Sequence, residues 1–214
     1  MKDTYRHKGM RQKLLTALRQ KGITDTGVLQ AMNDVPRHFF MEDAFLEKAY
    51  DDVAFPIGAD QTISQPYTVA FMTQWMEVKA GMKILEIGTG SGYQACILAA
   101  MGAEVYTIER QQILHSRVQD IFKAFSLGTN IKAFYGDGWL GLPEHAPFDG
   151  IIVTAGASEV PDTLKRQLKT GGRLIIPVGD STQAMLRLTR RNNNTWQEEH
   201  GGDFRFVPFL KGTA

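Results

Sequence analysis

The sequence predicts a doubly wound α/β fold: a mostly parallel sheet covered on both faces, with antiparallel C-terminal strands and an N-terminal helical lobe. Three observations carry that expectation. From about Tyr67 onward, short apolar β-rich runs alternate with helical periodicity, as a parallel sheet with crossover helices requires. One run, Lys83–Ile87, leads directly into Gly88-Thr89-Gly90-Ser91-Gly92, and a helical pattern follows at once, the setting of a nucleotide loop. After Met185 apolar and polar residues alternate with period two, the mark of strands with one solvated face.

The elements follow in order. Leu14, Leu15, Leu18 and Ile23 fall close to helical spacing, and Val28, Leu29 and Met32 mark a second short helix that Thr24 or Asp25 could cap. Val35-Pro36-Arg37 ends it, and Phe39-Phe40 is expected to pack this lobe onto its neighbour. Asp60–Tyr67 is polar and carries Pro66, so it reads as a loop. Thr68–Val78 places Val69, Met72, Thr73 and Met76 on one helical face. Lys83–Ile87, Glu104–Glu109, Ile131–Tyr135, Gly150–Thr154 and Arg173–Val178 read as strands, with helices over Tyr93–Met101, Gln111–Phe125 and Val160–Lys169. Met185–Arg190, Thr195–His200 and Asp203–Leu210 read as extended segments, the first two separated by the turn signal Asn192-Asn193-Asn194. No repeat or linker divides this pattern. We expect one domain over 1–214, comprising a helical lobe (1–58), a substrate-facing active-site segment (59–67) and a cofactor-binding core (68–214).

Bulk properties narrow the function. With 43% hydrophobic and 22% charged residues the chain has a globular balance, which argues against disorder. Its net charge of +1 gives no basic excess, so a nucleic-acid partner is not expected. Met1–Arg11 lacks the apolar stretch of a secretory signal, and Ala95–Met101 is too short to span a bilayer. A cytoplasmic protein, off the membrane, is expected, as a monomer or weak oligomer. Cys96, the single cysteine, sits among apolar neighbours and reads as a small core residue.

The candidate cofactor residues come from the strand ends. Gly88, Gly90, Ser91 and Gly92 let the backbone turn tightly and approach a ligand. Glu109 ends the next strand, about twenty residues on, where an acid accepts hydrogen bonds from ribose hydroxyls. Asp137 and Gly138, after the strand Ile131–Tyr135, suit recognition of an adenine amino group, and equally suit an ordinary turn. The loop spacing G-x-G-x-G differs from the G-x-G-x-x-G that opens a helix onto a pyrophosphate. Glu86 would repel a pyrophosphate and welcome the zwitterionic tail of S-adenosylmethionine. The residues therefore indicate S-adenosylmethionine, with S-adenosylhomocysteine as product, and a nicotinamide-dependent reductase is the alternative from another class.

The chain resembles the protein-L-isoaspartate O-methyltransferase family of bacterial type. The resemblance runs through Ala49-Tyr50-Asp51-Asp52, Pro56-Ile57-Gly58, Gln61-Thr62-Ile63-Ser64-Gln65-Pro66, Leu85–Tyr93, Gly136-Asp137-Gly138, Pro147-Phe148-Asp149, Gly171–Leu174 and Arg205–Pro208. The glycine loop says only methyltransferase, whereas Thr62–Pro66 is characteristic of this family. The resemblance implies a Rossmann-like class I methyltransferase fold and a protein-repair activity on isoaspartyl residues of damaged proteins and peptides. It implies Ser64 as the active-site residue, with Thr62, Ile63, Gln65, Tyr67 and Val207 facing substrate. Tyr67 stands where some members carry histidine, which leaves a ring-nitrogen role there open. A purely structural reading of Ser64, as cap of the helix after Pro66, and a different acceptor for the methyl group are the alternatives.

Overall fold

The computed structural model describes residues 2–125, 130–192 and 195–214. The N-terminal lobe is built on α1 (Tyr5–Gln20) and α2 (Thr26–Asp34). Thr4 caps α1 by accepting from the His7 N–H at 3.3 Å, and Asp25 caps α2 by accepting from the Gly27 and Val28 amides. Of the two candidate caps for α2, Asp25 is therefore the one used. The Thr24 and Asp25 amides donate to the side chain of Gln74, which ties the lobe to α3 (Pro66–Met76).

Between lobe and core lies a feature that the loop expectation for 60–67 missed. β1 (Phe55–Gly58) and β2 (Gln61–Ile63) form an antiparallel hairpin. Its two turn residues, Ala59 and Asp60, both have positive φ (51° and 54°), the conformation of primed hairpin turns. Neither residue is glycine, so the usual sequence mark of such a turn is missing.

The core sheet has seven strands in the order β5-β4-β3-β6-β7-β8-β9. They are β3 (Lys83–Ile87), β4 (Glu104–Glu109), β5 (Ile131–Tyr135), β6 (Phe148–Val153), β7 (Leu168–Val178), β8 (Gln183–Arg190) and β9 (Trp196–Phe204). The first five run parallel and the last two antiparallel, as the sequence patterns predict. Helices α4 (Tyr93–Ala100), α5 (Gln112–Ala124) and α6 (Asp162–Arg166) fill the crossovers. Buried apolar side chains fall into two clusters. One joins the lobe, α3, α4 and α5 to the sheet, and the other joins α6 to it.

Two further sequence expectations are corrected. The helix expected over Val160–Lys169 is only Asp162–Arg166, because Leu168 is taken up by β7, where it pairs with Phe148. The two extended segments expected at Thr195–His200 and Asp203–Leu210 are one strand, β9, followed by an irregular stretch. That strand runs through Gly201-Gly202, where a Cβ on Gly201 would stand 2.7 Å from Phe71 and Trp75. Asn193 and Asn194 of the expected turn lie outside the described residues.

The topology sets the site. The chain leaves β3 for β4 and β5 on one side, then returns to β6 on the other. The carboxyl ends of β3 and β6 therefore flank a switch point, where open α/β sheets bind ligands.

Candidate active site

The loop after β3 is held in one shape by its neighbours. Gly88 has φ +93°, and a Cβ there would lie 2.6 Å from Thr154 Oγ1 at the end of β6. Gly90 (φ +53°) donates its N–H to Glu109 Oε2 at 2.8 Å, while Glu109 Oε1 accepts from the Gln111 N–H at 2.8 Å. Glu109 thus clips the loop to the end of β4 before any ligand arrives. Gly92 (φ +82°) faces inward, where a Cβ would meet Phe122 at 2.8 Å.

Glu86 is the unusual group. Its side chain is fully buried, and Oε2 accepts a hydrogen bond from Thr107 Oγ1. Thr107 has one hydroxyl proton and spends it on Glu86, so the 2.6 Å contact between Thr89 and Thr107 must be donated by Thr89. The resulting chain, Thr89 to Thr107 to Glu86, feeds one carboxylate oxygen. The other, Oε1, has no partner among the described residues. Burial pushes this carboxyl up to about 8, the nearby Glu109 charge adds to the rise, and the Thr107 bond opposes it. A buried acceptor lacking a donor, on the wall of the crevice, fits the ammonium of the cofactor's methionine tail.

Two adjoining hollows make up the site. The first is lined by Glu86, Gly88, Gly90, Ser91, Glu109 and Gly138, with Thr62, Ile63, Ser64 and Val207 on its other wall. The second is lined by Thr62, Ser64, Gln65, Tyr67, Val207 and the β9 end at Phe204–Phe206. Thr62, Ser64, Thr154 and Val207 belong to both. Of the sequence-selected residues, Gly92 and Asp137 line neither. Gly92 starts α4 from behind the loop, and both Asp137 oxygens accept backbone amides, from Trp139 at 2.9 Å and Gly212 at 2.8 Å. Sequence reasoning overlooked Thr89, Thr107 and Thr154. The first lies inside the quoted loop and the second on the strand facing β3, but hydroxyls at such positions carry no motif of their own.

The segment bearing Ser64 is positioned from the lobe. Asp52 accepts from the Tyr67 N–H at 2.8 Å and is paired with Lys21 at 2.6 Å, so the start of α3 is pinned. The Tyr67 ring lies parallel to Phe204 at 6.4 Å. Gln65 is the N-cap of α3, with no side-chain cap bond, and Pro66 follows. Ser64 lies one residue outside the cap and makes no cap bond to α3 among the described residues.

A glycine loop at the switch point, a buried acid before it and a second acid ending the next strand define a class I S-adenosylmethionine-dependent methyltransferase. The chain belongs to the protein-L-isoaspartate(D-aspartate) O-methyltransferase family, which it matches over residues 9–214. It is 54% identical to the protein-L-isoaspartate O-methyltransferase of Flavobacterium johnsoniae over 99% of both chains. The enzyme of that name from Xanthomonas axonopodis is 46% identical over 95% of this chain and 90% of its own. Among solved structures, a beta-aspartate methyltransferase from Plasmodium falciparum in complex with S-adenosyl-L-homocysteine superposes with a TM-score of 0.83 at 27% identity, covering 94% of this chain and 99% of that one.

Proposed function

We propose that this repair methyltransferase moves the methyl group of S-adenosylmethionine to the free α-carboxylate of an isoaspartyl residue at the junction of the two hollows, beside Ser64. The observation that carries the placement is that Ser64 and Val207 line both hollows. Thr62 and Thr154 share that wall, and Ser64 is the hydroxyl there that the family resemblance assigns to the chemistry.

The cofactor supplies an electrophilic methyl on sulfur. What remains for the protein is binding, orientation and exclusion of water. Glu86 would hold the ammonium through its unpartnered oxygen, and Gly88, Gly90 and Ser91 would bring backbone close to the methionine tail. Glu109 keeps a second lone pair on each oxygen for the ribose hydroxyls. The isoaspartyl carboxylate has a pKa of about 3.9, so it arrives ionised and needs no general base. Ser64 would donate one hydrogen bond to one carboxylate oxygen and so orient the other, whose lone pair stays free to accept the methyl group that the cofactor would supply. A neutral hydroxyl suits this work, since a full positive charge would hold the attacking lone pair.

Peptide recognition falls to the second hollow. Thr62, Gln65, Tyr67 and Val207 would frame an extended backbone carrying the extra methylene of isoaspartate, while Ile63, expected to face substrate, is buried and lines only the first hollow. In this family the methyl ester then closes to a succinimide, and hydrolysis returns some normal aspartyl. A nicotinamide-dependent reductase fits less well, because the chain matches the methyltransferase family over residues 9–214.

The experiment is methyl incorporation into two peptides that differ only in isoaspartate against aspartate. Label in the isoaspartyl peptide alone is expected, and equal labelling or none would sink the reading. A cytoplasmic monomer or weak oligomer without a nucleic-acid partner remains part of the proposal. Light scattering on the purified protein tests the oligomeric state.

A further inference from the structure

The residues after β9 do not trail away from the fold. They cross its ligand-binding edge. Residues 207–209 are fixed at the β6 side, where the Gly156 N–H donates to Val207 O and the Phe209 N–H donates to Gly156 O, both at 2.8 Å. Residues 212–214 are fixed at the β4 and β5 side. There the Gly212 N–H donates to Asp137 Oδ2 at 2.8 Å, and Arg110 Nε donates to Gly212 O at 3.0 Å. The Ala214 N–H donates to Arg110 O and the Gln112 N–H donates to Ala214 O, both at 2.8 Å. Between these anchors Phe209 and Leu210 line the cofactor crevice.

The middle of the span is clamped as well. Trp139, two residues after Asp137, stacks on Phe209 with centroids 4.9 Å apart and donates its indole N–H to Phe209 O at 3.3 Å. Lys211 Nζ lies 4.6 Å from the centre of the same indole. Gly138 has room only for hydrogen, because a Cβ there would stand 2.5 Å from Ile87 and 3.1 Å from Phe209.

We propose that residues 207–214 form a retaining wall across the nucleoside end of the crevice, and that Asp137 serves the cofactor as a positioning residue that latches this wall through Gly212. This goes beyond the family's glycine loop and strand-end acids, and it rests on the methyltransferase reading of the site. Phe209 and Leu210 line the same crevice as the glycine loop, so loss of the wall should raise the cofactor's off-rate and leave the peptide hollow in place.

The test uses two variants. Gly212→Pro removes the N–H that reaches Asp137 and cannot adopt the native φ of +74°, while Asp137 itself is untouched. A chain ending after Leu210 removes the exposed residues 211–214. Calorimetry with S-adenosylhomocysteine should show Kd raised about tenfold in both, the scale for losing a hydrogen bond to a charged group together with the contacts it holds. KM for S-adenosylmethionine should rise by the same factor, with kcat at saturation and KM for an isoaspartyl peptide unchanged within twofold. Native cofactor affinity in both variants would overturn the proposal, as would an equal rise in peptide KM. If Gly212→Pro unfolds early, the shortened chain decides alone. A wild-type protein that binds S-adenosylhomocysteine but labels no isoaspartyl peptide would instead count against the function proposed above.

Discussion

Replacing Glu86 by glutamine should make the cofactor-free protein more stable at neutral pH. The carboxyl has an ordinary value of 4.5 and sits at about 8 in the fold, chiefly through burial. A raised acid favours the protonated form. Its contribution is therefore intact below about pH 4.5 and is lost as the pH climbs toward 8. At about 1.4 kcal/mol per unit, ionisation of the unfolded chain costs the fold about 3 kcal/mol at pH 7 and about 5 kcal/mol beyond pH 8. Glutamine can still accept from Thr107 and cannot ionise. Urea melts without cofactor should bring variant and wild type within about 1 kcal/mol at pH 5, with the variant ahead by about 3 kcal/mol at pH 7. Parallel stability profiles from pH 5 to 8 would refute the reasoning. The same group gives a binding signature. An ammonium beside Oε1 returns the carboxyl to its ionised form, so cofactor binding at pH 7 should release close to one proton. Calorimetry in buffers of different ionisation enthalpy measures that release, and Glu86→Gln should abolish it while weakening affinity.

The other expectations concern separate parts of the site and the lobe. Ser64→Ala should lower turnover with cofactor affinity intact, by about 0.5–1.5 kcal/mol in activation free energy, and Ser64→Asp should be stable but inactive because its charge repels the substrate carboxylate; an active Ser64→Asp enzyme would remove Ser64 from the chemistry. Glu109→Ala should weaken S-adenosylmethionine by about 1–3 kcal/mol in calorimetry, and it should also loosen the glycine loop, since the Gly90 N–H loses its acceptor. Gly90→Val should abolish cofactor binding, because a β-branched residue resists φ +53° and would take up room in the crevice that Gly90 lines; normal binding by this variant would mean the loop is misassigned. His38 is held down to about 4, first by burial and then by His7, so its neutral ring supports the fold above pH 6.5 and that support is lost as pH falls from 6.5 to 4. His38→Gln should flatten this acid limb in pH-dependent melts, and an unchanged limb would assign it to other groups.

Much of the fold was legible because it is written in local patterns. Apolar runs of strand length, helical spacing between them and glycines at the first crossover specify a parallel sheet without reference to distant residues. Where the reading failed, distant partners had decided. Leu168 reads as the end of a helix and becomes strand because Phe148 is there to pair with it. The β1–β2 hairpin reads as loop because its positive-φ turn is made by Ala59 and Asp60 and lacks the glycine that usually marks such a turn.

The candidate site divides in the same way. The sequence by itself determined which chemistry is on offer: the glycine loop, the acids at the strand ends, the hydroxyl before Pro66 and the family to which these belong. The tertiary structure decided what each group is free to do. It buried Glu86, gave one oxygen to Thr107 and left the other without a donor, and it brought Ser64 and Val207 to the wall shared by two hollows. It committed Asp137 to the amides of Trp139 and Gly212. The reason is physical. Backbone propensity and periodicity act over a few residues, whereas desolvation and hydrogen-bond satisfaction depend on everything within a few ångströms, and only the folded chain sets that neighbourhood.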